Sequence, residues 1–343
     1  MEKINIRSPY YVRNLVTSKD YVKCEIFIYS GDSVTDRGAA TYTLTQRTPE
    51  NKNYAFEISE LIKDYLDVEF NGSYNSYMTW VDYRFTQGTD AGGDDTPTSY
   101  TLTEAYDGYG YFQEGSQSSI NQYNENLGMF SNNVIYHLAS ESLILPIRSD
   151  SVFSIVSKLN GVTKNTYNYI EELDSDTRVQ YPSWDTTTTP IDELTIDGDS
   201  YEVVLIEECK YEPVKVTFVN KYGALQDLWF FKRNSKDIQT KSTEYQANLV
   251  NSGFWSATSH QKTITDNNGQ ESIALNSGYY PEEYNEVFKQ LLLSEKVWLK
   301  VDNTTRPVNI SSKSMSFKTQ LDDKLIEYAI KFNFSNDIIN NIR

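Results

Sequence analysis

Histidine and cysteine are nearly missing from this chain, with two of each in 343 residues. Catalysis at neutral pH leans on histidine, cysteine and clustered carboxylates, so their scarcity argues against an active site. His137 and His260 stand alone in their regions, whereas metal sites need several ligands at fixed spacing. Cys24 and Cys209 flank no redox or zinc motif and lie in strand-like runs, which reads as two buried free thiols. Basic residues are also few: 31 Lys and Arg against 48 Asp and Glu leave a net charge of -17. An acidic surface repels phosphate, which excludes general or sequence-specific nucleic-acid binding and adhesion to anionic membranes. A passage lining that keeps DNA from adhering is compatible with it. There is no run of 18 apolar residues, so no membrane insertion is expected. The opening MEKINIRSPYYVRN lacks an apolar stretch of signal-peptide length, and a soluble protein made in a reducing cytoplasm is the expectation. Gly-x-Ser-x-Gly and the phosphate-binding Gly-x-x-x-x-Gly-Lys-Ser/Thr motif are missing as well. Asp197-Gly-Asp199 has a calcium-loop flavour without the alternating oxygen run or the distal Glu of an EF-hand. Neither an enzymatic activity nor a cofactor or metal is expected.

What the chain does have is tyrosine, 27 of them, within an aromatic content of 14%. Hydrophobic residues reach only 38%, so the ordering surface comes from Tyr, Phe and Trp more than from Leu and Val. That suits half-buried strands and does not suit disorder. Tyrosine also suits protein contact surfaces, because its rigid amphipathic ring gives area at small entropy cost.

The length implies two or three domains. Residues 1–85 read as a β-domain with one helix. Tyr21–Tyr29, 40–45 and 76–85 are strand-like. Ile58, Leu61, Ile62 and Tyr65 fall at i, i+3, i+4 and i+7, which predicts a helix near 57–66 with Ser59 or a neighbour as cap. Residues 86–212 read as a middle domain of strands and loops. Between Glu171 and Glu202 it carries ten acidic residues against one base, Arg178, and this stretch (171–202) reads as a solvated inter-domain insert. Residues 213–343 read as a second β-domain with one helix. Asn220-Lys-Tyr-Gly223 marks a hairpin turn, and Asp266-Asn-Asn-Gly269 marks another. Pro281 opens a predicted helix over 281–293 whose apolar face is Tyr284, Val287, Phe288, Leu291 and Leu292. In the last strand Ile326, Tyr328, Ile330, Phe332 and Phe334 share one face. The expected fold class is mainly β, with two or three sandwich-like (immunoglobulin- or fibronectin-III-like) domains and few helices. Segments 1–85 and 213–343 share an outline of strands, one amphipathic helix and a Trp-bearing strand.

Candidate core anchors are Trp80, Trp229, Phe231 and Trp298. The candidate interface is the loop where glycine interleaves with Tyr106, Tyr109, Tyr111 and Phe112, with Asp94 and Asp95 in the Gly-rich loop 86–97. These rings could pack in a core, sit in a subunit interface or stack on a sugar. The loops 86–97, 107–133 and 171–200 are long for a compact domain, which points to function.

The hairpin 216–232 (VTFVNKYGALQDLWFFK) is similar to a recurring β-hairpin in structural proteins of tailed bacteriophages, notably those infecting Bacteroidetes and marine bacteria. So are the run 291–300 (LLLSEKVWLK), Pro307–Ile310 and 327–334 (EYAIKFNF), while Tyr42–Thr45 and Phe56–Ile62 resemble the first domain of the same proteins. Together these residues span about half of the chain and leave 86–212 unmatched. The resemblance implies a virion component of the tail, collar or baseplate region. It would assemble as a homo-oligomeric ring with other virion proteins, with no catalytic motif. The alternative is a receptor- or carbohydrate-binding module that uses exposed aromatics.

Overall fold

A computed structural model describes residues 2–15, 19–31, 35–47, 53–115, 128–149, 153–169, 178–186, 189–249, 254, 256–312, 316 and 325–339. The protein is mainly β, and among the described residues its α-helices are two short ones, Ser59–Ile62 and Asn285–Leu293. The chain forms two compact units: residues 1–207, 217–229 and 283–295 make the first, and 208–216, 230–282 and 296–343 the second. Residues 1–85 and 86–207, from segments expected as separate domains, thus lie in one unit, together with 217–229 and 283–295 from the segment 213–343.

The first unit contains two larger sheets. One runs in the order Glu2–Asn5, Thr103–Tyr106, Thr79–Thr89, Tyr21–Tyr29, Tyr42–Arg47. Its first pair is parallel and the rest are antiparallel. Val22, Cys24 and Ile26 alternate along the central strand and are fully buried with Ile4, Ile58, Ile62 and Val81. Burial pushes the Cys24 thiol up to about 12, so it stays protonated and inert. Cys209, expected to be buried as well, is exposed; it lies outside any strand, on a charged stretch with no apolar alternation to turn it inward.

The second sheet runs Val162–Tyr169, Phe153–Leu159, Glu193–Ile196, Asp199–Leu205, Val134–His137. Its core gathers Ile135, Phe153, Ile155, Trp184, Leu194, Ile196 and Tyr201. The stretch 171–202 is therefore not an inter-domain insert. Residues 171–177 lie outside the described residues, but 193–196 and 199–205 are core strands. Asp197 and Gly198 form their turn, both in the left-handed region that Asp and Gly tolerate. Carboxylates here occupy the outward positions of strands whose inward positions are Leu194, Ile196, Tyr201 and Val203.

In the second unit the order is Val297–Val301, Thr304–Ile310, Ala329–Asp337, Lys262–Asn276, Ser235–Gln246, all antiparallel. Ile326, Tyr328, Ile330, Phe332 and Phe334 are all buried, as is Trp298. Asp266–Gly269 is not a hairpin turn. It lies inside the strand Lys262–Asn276, where Asp266 has positive φ and the register shifts opposite Lys241–Thr243. The Asp-Asn-Asn-Gly chemistry is used for a β-bulge, which demands the same left-handed tolerance as a turn.

Both helices are shorter than the sequence periodicity predicts. The first yields to a 3-10 turn at Lys63–Tyr65, and Tyr65 is exposed, edge-on to Tyr42. Ser59 does not cap; its hydroxyl donates to Glu57. Pro281 sits in a short ladder with Leu325, a 3-10 turn follows at Glu282–Tyr284, and the helix proper begins at Asn285.

Candidate protein-interaction site

The glycine-tyrosine loop follows the strand Thr103–Tyr106. Tyr106 itself belongs to the core, packed with Trp80, Met78, Met129, Val179 and Ala224. Its hydroxyl donates to the buried carboxylate of Glu104 at 2.7 Å. Glu104 also accepts from Arg148 at 2.9 and 3.0 Å, and Arg178 lies 3.7 Å away. All three charged side chains are buried. Arg178, the one base of the acidic stretch, also stacks its guanidinium over Trp80 at 5.4 Å.

After Tyr106 the chain touches the hairpin Val214–Phe230. Tyr109 N–H donates to the Lys221 carbonyl at 2.8 Å. A Cβ on Gly108 would come within 2.6 Å of that carbonyl, and one on Gly223 within 2.9 Å of the backbone nitrogens of Asp107 and Gly108. The glycines at 108 and 223 are thus what lets the two backbones meet.

That contact aims the next side chains at the helix Asn285–Leu293. Tyr109 is buried, with the Arg7 guanidinium 4.8 Å from its ring centre. Arg7 in turn donates to the Leu293 carbonyl and pairs with Glu295. Tyr111 meets Tyr109 edge-on at 5.8 Å and donates its hydroxyl to Glu286 at 2.7 Å. Lys289 Nζ stands 3.3 Å from the centre of the Tyr111 ring and Lys221 Nζ 5.0 Å from it. Burial pushes the Tyr109 phenol up to about 12, and burial together with the Glu286 bond raises that of Tyr111 well above its ordinary value. Both stay protonated at neutral pH and cannot serve as bases.

A single 3-10 turn, Phe112–Glu114, closes the loop. Glu114 accepts from the Tyr111 backbone N–H at 3.0 Å and pairs with Lys221 at 3.4 Å. On this fixed turn Phe112 is fully exposed. Of the four candidate interface aromatics, Tyr106 and Tyr109 are therefore buried, Tyr111 is covered by a lysine, and Phe112 alone presents a free ring. The tethers Arg7, Lys221, Glu286 and Lys289 carry no motif in sequence. The one legible hint was that Glu286 and Lys289 lie three apart on a predicted helix.

Asp94 and Asp95 belong to a different place, the hairpin that ends the strand Thr79–Thr89. Asp94 accepts from Tyr21 and Lys23, each at 2.6 Å, and Asp95 pairs with Lys19 at 2.6 Å. The Lys23 and Tyr21 bonds hold the Asp94 carboxyl below the usual range. These charges are satisfied within the chain. The loop 86–97 is mostly hairpin, since the strand runs on to Thr89 and pairs with Gly93–Asp94.

Trp80 and Trp229 are buried in the first unit and Phe231 in the second. The strand that carries Trp229 ends at Phe230. Phe231 turns instead onto Tyr280, 5.5 Å away. His137 is buried with Nε2 2.6 Å from the Thr186 hydroxyl, and His260 is exposed. Among the described residues, no three His, Cys, Asp or Glu side chains are grouped to hold a metal ion, and no helix is long and apolar enough to cross a membrane. No protein-family model matches the chain, and no curated protein matches it.

Proposed function

We propose that the protein is a non-enzymatic structural component of a tailed-bacteriophage virion that self-associates, as a ring, in the tail, neck or baseplate. The phage assignment rests on the sequence resemblance. Self-association is carried by one observation, the full exposure of Phe112 on a turn fixed from both sides by Glu114. A large apolar ring held rigidly in water gains free energy when a partner covers it, and such aromatic anchors dominate interface energies. The net charge of -17 suits a virion surface that DNA passes without sticking.

The carbohydrate-binding alternative calls for a platform of ring faces, and here Tyr109 is buried and Tyr111 covered, which leaves a single ring. Electron microscopy of the purified protein tests the proposal, with ring-shaped particles as the expected result. Mass spectrometry of purified virions should find the chain. Phe112→Ala should weaken association at least tenfold without altering the circular dichroism spectrum. Monomers at high concentration and glycan-array binding lost in the same variant would favour the binding module.

A further inference from the structure

The strand Ser235–Gln246 is exposed at all twelve residues, including Ile238 and Tyr245. It ends its sheet, so one of its edges has no neighbouring strand among the described residues. Its partner Lys262–Asn276 is flanked by the strand Ala329–Asp337 only from Gln270 to Asn276. Farther out, Thr243–Gln246 and Lys262–Thr265 form a ribbon with no third strand among the described residues. A two-stranded ribbon is marginal in water.

Register and alternation put Thr243, Tyr245, Thr263 and Thr265 on one face of the ribbon, and Glu244, Gln246, Lys262 and Ile264 on the other. The first face has no charge. Across its two faces the ribbon balances one lysine, Lys262, with one carboxylate, Glu244, so this arm is neutral in a chain of net charge -17.

We infer that the arm binds a second copy of this protein, with the Thr-Tyr faces of two ribbons packed against each other. A contact between identical patches has to be self-complementary. Hydroxyl groups meet that condition because each donates and accepts, whereas a patch of one charge repels its own copy. Neutrality matters for the same reason: two strongly acidic chains can approach along this arm without bringing like charges together. One such face offers on the order of 300 Å² per copy, below the roughly 800 Å² of a standard stable interface. The pairing is thus weak between two free chains and is reinforced where an assembly holds many arms together. This inference rests on the self-association reading but names a different contact from the one at Phe112.

Thiol cross-linking tests it on the full chain in a Cys209→Ser background, since Cys24 is buried. Single cysteines are placed at exposed positions on either face, Thr243→Cys or Gln246→Cys, and treated with a short bismaleimide. The Thr243→Cys chain should form covalent dimers at least tenfold faster than the Gln246→Cys chain. Adding Tyr245→Glu or Tyr245→Lys to Thr243→Cys should abolish the dimer for each variant alone, and mixing the two should restore it. Equal rates from the two faces, no dimer, or no recovery on mixing would overturn the inference. Rings under the microscope without cross-linking at Thr243 would leave the self-association reading standing and remove only the arm contact. Cross-linking by a protein missing from virions would keep the arm contact and remove the virion assignment.

Discussion

Glu104 shows how one residue organises its surroundings. A buried carboxylate is tolerated only when it is paired and hydrogen-bonded, and Arg148, Arg178 and Tyr106 supply both conditions. They come from separate stretches of chain, so the carboxylate ties the strand Thr103–Tyr106 to the ladder of Ile147–Arg148 with Val179–Gln180. Glu104→Ala leaves two buried guanidinium groups without their anion, and a loss of about 3–5 kcal/mol is expected in urea unfolding. A loss under 1 kcal/mol would mean that water takes over the role of the carboxylate. The scarcity of histidine and cysteine was legible at once, and so was the apolar environment of Cys24. The burial of Arg178 was not, because it depends on Glu104 and Trp80, which are remote in sequence.

Among the elements, the hairpin Val214–Phe230 was the plainest in sequence. Two strands of β-branched and aromatic residues flank an Asn-Lys-Tyr-Gly turn, and the turn forms with Gly223 at φ +80°. Its tight dependence on glycine comes from packing as well as from the turn. Gly223→Ala places a side chain against the backbone at Asp107 and Gly108 and strains a left-handed residue. A destabilisation of about 2–4 kcal/mol should follow, with release of the Tyr109–Tyr111 loop seen as faster amide exchange at Tyr109. Unchanged exchange there would show that the loop does not depend on the hairpin. Asp266–Gly269 carries the same turn chemistry yet forms a bulge, since left-handed tolerance serves either use. The helices shortened for a related reason. An apolar period of 3.6 also fits a 3-10 turn over a few residues, and Tyr65 and Tyr284 fall in such turns.

Across the whole molecule the abundant tyrosines divide by burial. Tyr11, Tyr65, Tyr245 and Tyr279 are exposed. Desolvation pushes Tyr109 and Tyr201 up to about 12, and raises Tyr181 and Tyr284 as well. For each buried phenol the folded value lies above the unfolded one near 10, so the folded state prefers the proton. Its contribution to stability is complete below pH 10 and is lost as the pH rises through 12. Alkali also adds negative charge to a chain that already carries -17. Phenolate absorbance should therefore rise in two phases, the first reversible near pH 10 with native circular dichroism, the second above it and coincident with unfolding. A single phase near pH 10 with the fold intact would contradict the burial of these rings.

Local chemistry was sufficient for much of this protein. Alternation along 21–29 and 326–334 and the turn at 220–223 depend on neighbours in sequence, and they establish a mainly β chain. The division into units, the burial of Tyr106 and Tyr109, the cover on Tyr111 and the freedom of Phe112 were decided only by the tertiary structure. A ring in a Gly-Tyr-Gly-Tyr-Phe run can face inward or outward at equal local cost, and what turned Tyr109 and Tyr111 were contacts with Lys221, Glu286 and Lys289, more than a hundred residues away. The arm escaped the sequence for the opposite reason: a ribbon with polar residues on both faces has no apolar alternation to announce it, and its length came from pairing between strands.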